Sequence, residues 1–388
     1  MRARLLALAA TALVWIPAAY AAKRAVAFGD SITEGIGDTA TPPGYPPKLQ
    51  ALLRDAGMDV TVENWGLGGE TTLEGVARVD GALSGGGDYF VLLEGTNDVS
   101  MIFDGLLSVE TTIANLQRIG DKARSRGFEV FMATLLPRPR TARRDKENIV
   151  TQEVSWEIYE LASQKKRAFA DIWSRFNPFF DTDVFRTLYS FPENDPVGHP
   201  NNAGYQVIAE LFADQILEQD TLAPVPGRFE PFVEELDGPT EFVATVYESA
   251  GGAGIKINRT FFEFNGVQVT KPLRSQSNRR KATFRYTASR KGIGCRVILG
   301  VSGRDLADPP NEFAQLIWAY DVAGRNHLAP DVDGDCKVNE GDLDQMKRGF
   351  GARFGDPTYS ILLDLNSDDV IDGRDLATLA SDFGKSSD

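Results

Sequence analysis

Between Arg24 and Glu218 short apolar runs alternate with amphipathic stretches, and the first three runs each end in a polar, mostly glycine-bearing island. The runs are Ala25 to Phe28, Val60 to Glu63, Tyr89 to Leu93, Val130 to Ala133 and Ala168 to Ile172. Helical periodicity lies between them, as in Leu107 to Arg126 and Val150 to Lys166. Apolar runs this short and continuous predict strands buried on both faces, hence a parallel sheet with helices on each side. In such a sheet the ligand crevice lies beyond the C-terminal strand ends. The islands fall there: Gly29-Asp30-Ser31-Ile32, then Asn64-Trp65-Gly66-Leu67-Gly68-Gly69-Glu70-Thr71, then Gly95-Thr96-Asn97-Asp98. A fourth, His199-Pro200-Asn201, follows the last run.

Each island has a plain reading and a chemical one. Ser31 follows a strand and opens a helical turn, so its hydroxyl is exposed and its N–H has no helical partner; alone it reads more readily as a helix cap. The glycines of 64–71 let backbone N–H groups approach a ligand closely, although a tight loop needs them too. Asn97 offers a carboxamide donor that cannot lose its proton, or else a turn-forming Asn-Asp pair. Three donors aimed at one point stabilise an oxyanion. His199 is the only histidine before residue 327, and a base near neutral pH is what a serine hydroxyl needs.

All four islands, in this order, resemble the blocks of the SGNH, or GDSL, hydrolase superfamily over about residues 24 to 220. The resemblance implies a flavodoxin-like α/β/α sandwich and an ester hydrolase without a catalytic cofactor. It makes Ser31 the nucleophile, His199 the base, and the Ser31 and Gly69 N–H groups with the Asn97 amide the oxyanion hole. One departure stands out. The family places its acid three residues before the histidine, where this chain has Pro196; Asp195 lies four before. Asp195 reaches the imidazole if the loop through Val197-Gly198 bulges by one residue, and otherwise a Ser-His dyad operates. Glu34, Asp38 and Asp98 are expected to be structural or rim residues.

Leu222-Ala-Pro-Val-Pro-Gly-Arg228 reads as a linker, because prolines and glycine break helix and strand alike. Beyond it, alternation in Glu241 to Tyr247, Thr260 to Phe264 and Ala282 to Tyr286 predicts an antiparallel, immunoglobulin-like β-sandwich.

A repeat then appears at an offset of 33 residues, from Asp331 to Asp364. Asp331, Asp333, Asp335, Lys337 (through its carbonyl), Asn339 and Asp342 occupy positions 1, 3, 5, 7, 9 and 12 of an EF-hand-like loop. Asp364, Asn366, Asp368, Val370 (carbonyl), Asp372 and Asp375 occupy them in the second. Hard oxygen ligands in this order predict structural calcium. Aspartate replaces the usual glutamate at position 12, and Cys336 and Asp369 stand where glycine is expected at 6. The paired loops, each followed by Asp-Leu and a short helix, resemble a type I dockerin over about residues 330 to 385, and that resemblance implies a cohesin-like partner.

The N-terminus carries two arginines, an apolar run from Leu5 to about Tyr20 and small residues at Ala19, Ala21 and Ala22, the parts of a secretory signal peptide. The expected organisation is a signal peptide at 1–22, a hydrolase domain at 23–221, a sandwich at 222–328 and a small α-helical calcium module at 329–388, secreted or periplasmic. Net charge of −14 argues against nucleic-acid and anionic-membrane partners, and no later run is long enough for stable membrane insertion. Cys295 and Cys336 have the compartment to pair, but sequence leaves their approach open. The modules favour an acetylated polysaccharide as ester substrate. The alternatives are an arylesterase, lysophospholipase or thioesterase acting on lipid-like acyl groups, or a non-catalytic glycan-binding scaffold.

Overall fold

A computed structural model describes residues 22–139, 142–176, 198–231, 235–236, 241–265, 267–269, 272–288, 294–323, 325–353, 358–360, 362–366, 368 and 370–387. The segment up to residue 21, where a signal peptide is expected, and Asp195, Pro196, Val197 and Asp369 lie outside the described residues.

The first half is a five-stranded parallel sheet. Its strands are β1 (Lys23–Gly29), β2 (Val60–Gly66), β3 (Tyr89–Leu93), β4 (Glu129–Ala133) and β5 (Ala168–Ala170), in the order β2-β1-β3-β4-β5. This is the flavodoxin-like order, whose switch point lies between β1 and β3. Ala25, Val26, Ala27 and Phe28 are wholly buried, which explains the continuous apolar run. The fifth strand is shorter than expected: Ile172 opens a helical turn, Ile172–Phe176, instead of closing the strand.

Helices α1 (Ser31–Glu34) and α2 (Tyr45–Asp55) connect β1 to β2. Helix α3 (Thr72–Ala82) leads to β3, α4 (Thr96–Phe103) and α5 (Val109–Ser125) to β4, and α6 (Ala142–Lys165) to β5. The turn Ile172–Phe176 is α7, and α8 (Asn202–Ile216) ends the domain. Helix α8 packs on α2 through stacked Tyr45 and Phe212 rings, 5.3 Å apart, while α3, α5 and α6 pack together.

Two further sheets form the sandwich. The strands are β6 (Val225–Glu230), β7 (Glu235–Leu236), β8 (Glu241–Tyr247), β9 (Phe261–Phe264), β10 (Val267–Gln268), β11 (Leu273–Asn278), β12 (Lys281–Thr287), β13 (Arg296–Arg304) and β14 (Glu312–Val322). Their orders are β10-β9-β13-β14-β7 and β11-β12-β8-β6. Phe242 and Phe264 meet between the sheets at 5.5 Å. One pairing, β7 with β14, is parallel, so the sandwich is not wholly antiparallel.

Residues 222–228 are not the linker that their composition suggests, because β6 begins at Val225. Residues from Val225 onward pair with β8 as an edge strand whose register shifts between Pro226 and Phe229. An edge strand tolerates proline, and a Cβ on Gly227 would fall 2.3 Å from the Tyr247 ring, so both breakers have a place in this strand. The sandwich shares one hydrophobic core with the α/β domain. Tyr159 and Tyr247 stack at 5.8 Å, and Glu160 binds Tyr247 and Lys281 at 2.5 and 2.6 Å.

The C-terminal helices α9 (Glu340–Gly349) and α10 (Gly373–Asp382) enclose a separate small core containing Val338, Met346, Ile371 and Leu379. Cys295 and Cys336, with Cα atoms 5.0 Å apart, form a disulfide that ties this module to the sandwich.

Candidate active site

The site is assembled at the switch point. A Cβ on Gly29 would lie 1.8 Å from the Leu93 carbonyl, so glycine is needed where β1 and β3 come together. Ser31 then opens α1 behind the cap Asp30, whose carboxylate accepts from Ile32 N at 2.9 Å and Thr96 N at 3.3 Å. Asp30 thus joins the first island to the third. Its burial pushes its carboxyl up to about 6, partly offset by those two donors.

His199 Nε2 and Ser31 Oγ are 2.8 Å apart although 168 residues separate them, and the two side chains are only 7% and 8% exposed. Local packing fixes the histidine. A Cβ on Gly198, φ +83°, would fall 2.3 Å from the Pro139 ring. Asn201 caps α8 by accepting from Ala203 N and Gly204 N at 3.0 and 3.1 Å, and the Tyr205 hydroxyl donates to the Ile36 carbonyl at 2.6 Å.

The second island folds over the start of α1. Glu34 Oε2 accepts from Gly68 N at 2.7 Å, and Leu67 N donates to the Gly29 carbonyl at 2.9 Å. Gly69 has φ +81°, the left-handed region that favours glycine. Asn97, in the first turn of α4, donates one amide hydrogen to the Glu70 carbonyl at 2.8 Å. That bond sets the plane of the carboxamide and leaves its second hydrogen for another acceptor. Neither the Ser31 N–H nor the Gly69 N–H has a hydrogen-bond partner among the described residues.

Glu34, Asp38 and Asp98 all have supporting roles. Asp38 accepts from Gly44 N at 2.9 Å and pairs with Lys48 at 2.5 Å. Asp98 accepts from Thr72 N at 3.1 Å, holding the start of α3 against α4.

Other supports have no signature in the sequence. Arg78 of α3 donates through Nε to Glu70 at 2.6 Å, pairs with its second oxygen, reaches the Trp65 carbonyl at 2.9 Å and lies over the Phe28 ring. Arg138 grips the Thr96 carbonyl at 2.5 Å and Ser100 and Glu147 at 3.0 Å. Below them Glu94 is buried with both carboxylate oxygens unpartnered, and burial, then the charges of Glu70 and Asp30, push its carboxyl well above the usual range. Arg138 and Thr96 are 42 residues apart, and the 8 residues between Glu70 and Arg78 match no motif, so no local spacing reveals these contacts.

Residues 27–207 match the GDSL-like lipase/acylhydrolase family, and residues 329–383 match the dockerin type I domain. The α/β domain belongs to the GDSL family. It is a carboxylic ester hydrolase, and the C-terminal module is a type I dockerin, a class that binds calcium and cohesins. Among solved structures, the chain is similar to the lipase/acylhydrolase from Enterococcus faecalis, with 24% identity, 51% of this chain and 96% of that one covered, and a TM-score of 0.44. It is also similar to Axe2, an acetylxylan esterase from Geobacillus stearothermophilus, with 20% identity, 50% and 94% covered, and a TM-score of 0.41. No curated protein matches the chain.

The dockerin residues suit calcium. One oxygen each from Asp331, Asp333 and Asp335 lies within 4.8 Å of the others, and Asp331 Oδ1 is buried without a partner. Asp342 accepts from Val332 N and Asn339 N at 2.7 Å, closing the loop from position 12. Cys336 takes φ +78°, the conformation glycine usually supplies at position 6, and the disulfide holds it there. In the second loop Asp375 accepts from Asn366 N and Asp372 N at 3.2 and 2.7 Å, and Asp364 accepts from Asp368 N at 3.1 Å. Lys337 and Val370 bridge to Ser386 and Arg353, so position 7 of each loop is pinned to the segment after the opposite helix.

Proposed function

We propose that this chain is an exported carbohydrate O-acetyl esterase acting through a Ser31 acyl-enzyme. In this reading Ser31 Oγ attacks the ester carbonyl carbon as its proton passes to His199 Nε2. The new oxyanion accepts from the Ser31 and Gly69 N–H groups and the second hydrogen of Asn97 Nδ2. Collapse expels the sugar alcohol, which takes the proton from the imidazolium. Water, deprotonated by the same imidazole, then releases acetate and restores Ser31. The 2.8 Å Ser31–His199 contact carries the proposal, and the unpartnered Ser31 and Gly69 N–H groups support it.

The substrate class rests on two observations. An ester hydrolase domain joined to a dockerin supports an enzyme recruited to polymeric carbohydrate. A chain with net charge −14 is repelled from anionic lipid interfaces, whereas an acetylated neutral polysaccharide carries no opposing charge. The signal peptide at 1–22, the domains at 23–221, 222–328 and 329–388, and the two six-ligand calcium loops are part of the same proposal.

The test is hydrolysis of p-nitrophenyl acetate, p-nitrophenyl decanoate and an acetylated xylan, with and without EDTA, beside Ser31→Ala. The proposal expects acetate release from the polymer, little decanoate turnover, resistance to EDTA and loss of activity in the variant. Preference for decanoate would replace it with a lipid esterase. Asp195→Asn decides how the imidazole is oriented: a triad loses on the order of 10⁴ in kcat, a dyad very little.

A further inference from the structure

Three acidic side chains from separate elements converge where the α/β domain meets the sandwich. Asp220 follows α8, Glu248 follows β8 and Asp305 follows β13. One carboxylate oxygen from each lies within 4.8 Å of the other two. Glu248 is 4% exposed and Asp305 fully buried, so little water reaches these carboxyl groups.

The hydrogen bonds around the cluster orient these groups and supply no cation to them. Asp305 Oδ1 accepts from Ala307 N and Asn311 N at 3.0 and 2.9 Å, and its Oδ2 accepts from Asn311 Nδ2 at 2.7 Å. Asn311 Nδ2 also reaches the Asp220 carbonyl at 2.7 Å, and Asp220 Oδ2 accepts from Ala253 N at 2.9 Å. Glu248 Oε1 accepts from Ser249 N at 2.9 Å, while its Oε2 is buried with no partner. A Cβ on Gly252 would fall 2.4 Å from Glu248 Oε1, so the backbone is wrapped closely around this carboxylate. None of the three acids forms an ion pair among the described residues, and Arg280 acts on Glu248 only at a distance.

We propose that Asp220, Glu248 and Asp305 form a calcium site that clasps the sandwich to the α/β domain. Two oxygens bound to one calcium at about 2.4 Å stand at most about 4.8 Å apart, the span these acids keep. An all-oxygen donor set selects a hard cation over zinc, which favours nitrogen and sulfur. Calcium also accepts an irregular shell completed by water, whereas magnesium demands a near-ideal octahedron. Asn311 is the outer partner that holds two of the ligand-bearing residues in register. The site is separate from both the Ser31 crevice and the dockerin loops, and does not depend on the substrate proposal.

The dockerin calcium must be separated from this one. We would strip the full chain with EGTA, titrate it with calcium chloride to about 5 mM, a range that covers weak extracellular sites, and count bound metal by mass spectrometry and calorimetry. With both dockerin loops disabled by Asp331→Ala and Asp364→Ala, one calcium per chain is expected to remain. Adding Glu248→Gln should abolish it, with far-ultraviolet circular dichroism confirming the fold. Asp220→Asn, at a partly exposed position, should weaken binding at least tenfold even if the buried variant does not fold. No calcium bound to the dockerin-disabled chain, or undiminished binding in a folded Glu248→Gln chain or in Asp220→Asn, overturns the proposal.

Discussion

Arg78→Met isolates the ion pair that holds the loop leading into α3. Methionine keeps an apolar contact with Phe28 but removes the charge, leaving Glu70 with only 1% of its side chain exposed and no counter-ion. Breaking a buried ion pair from one side costs about 3–5 kcal/mol. Arg78 itself is 24% exposed, so the lower end, about 3 kcal/mol, is the expected loss. For a domain of this size that is a fall of about 6–12 °C in the melting transition. The loss should also reach catalysis, because the Glu70 carbonyl sets the Asn97 amide. We therefore expect kcat on p-nitrophenyl acetate to fall about tenfold or more, within the range of one oxyanion donor. Glu70→Gln added to Arg78→Met should recover a large part of the stability by removing the stranded charge. The assays are calorimetric melting and steady-state kinetics at pH 7. A melting shift under about 2 °C, or a double variant no more stable than the single one, refutes the argument.

Asn97→Ala should lower kcat by about 10²–10³ with little change in KM, since the lost bond forms only as the oxyanion develops; an equal rise in KM with unchanged kcat would contradict this. Gly29→Ala is expected to yield little soluble enzyme, because its Cβ would lie 1.8 Å from the Leu93 carbonyl, and a normal melting curve would contradict the packing. In the dockerin, burial pushes Asp331 up to about 7 and Asp333 to about 6 when no metal is bound. Calcium must displace those protons, so affinity should weaken as pH falls from about 7 to 5, and calorimetric affinities unchanged between pH 7.5 and 5.5 would contradict the assignment.

The parts of the proposed site that lie within a few residues of a strand end were legible in the sequence. Ser31, Gly69 and Asn97 follow β1, β2 and β3, so reading the strands also located the proposed oxyanion donors. His199 was legible through scarcity. Contacts set by tertiary packing were not: Arg78 finds Glu70 because α3 folds back over its own leading loop, and Arg138 crosses from beyond β4 to α4. The Pro226 and Gly227 pair suggested a linker because local propensity cannot distinguish a coil from an edge strand with a register shift. The disulfide and the Asp220, Glu248 and Asp305 cluster depend on how separate elements are brought together, which spacing along the chain does not encode.

The nucleophilic role proposed for Ser31 is tested by the mass of the enzyme after reaction with a serine-directed ethyl p-nitrophenyl phosphonate, followed by peptide mapping. One phosphonyl group per chain is expected, carried on Ser31, with labelling lost in Ser31→Ala and slowed by orders of magnitude in His199→Ala. A label on another residue, or ester turnover that survives Ser31→Ala, would contradict it.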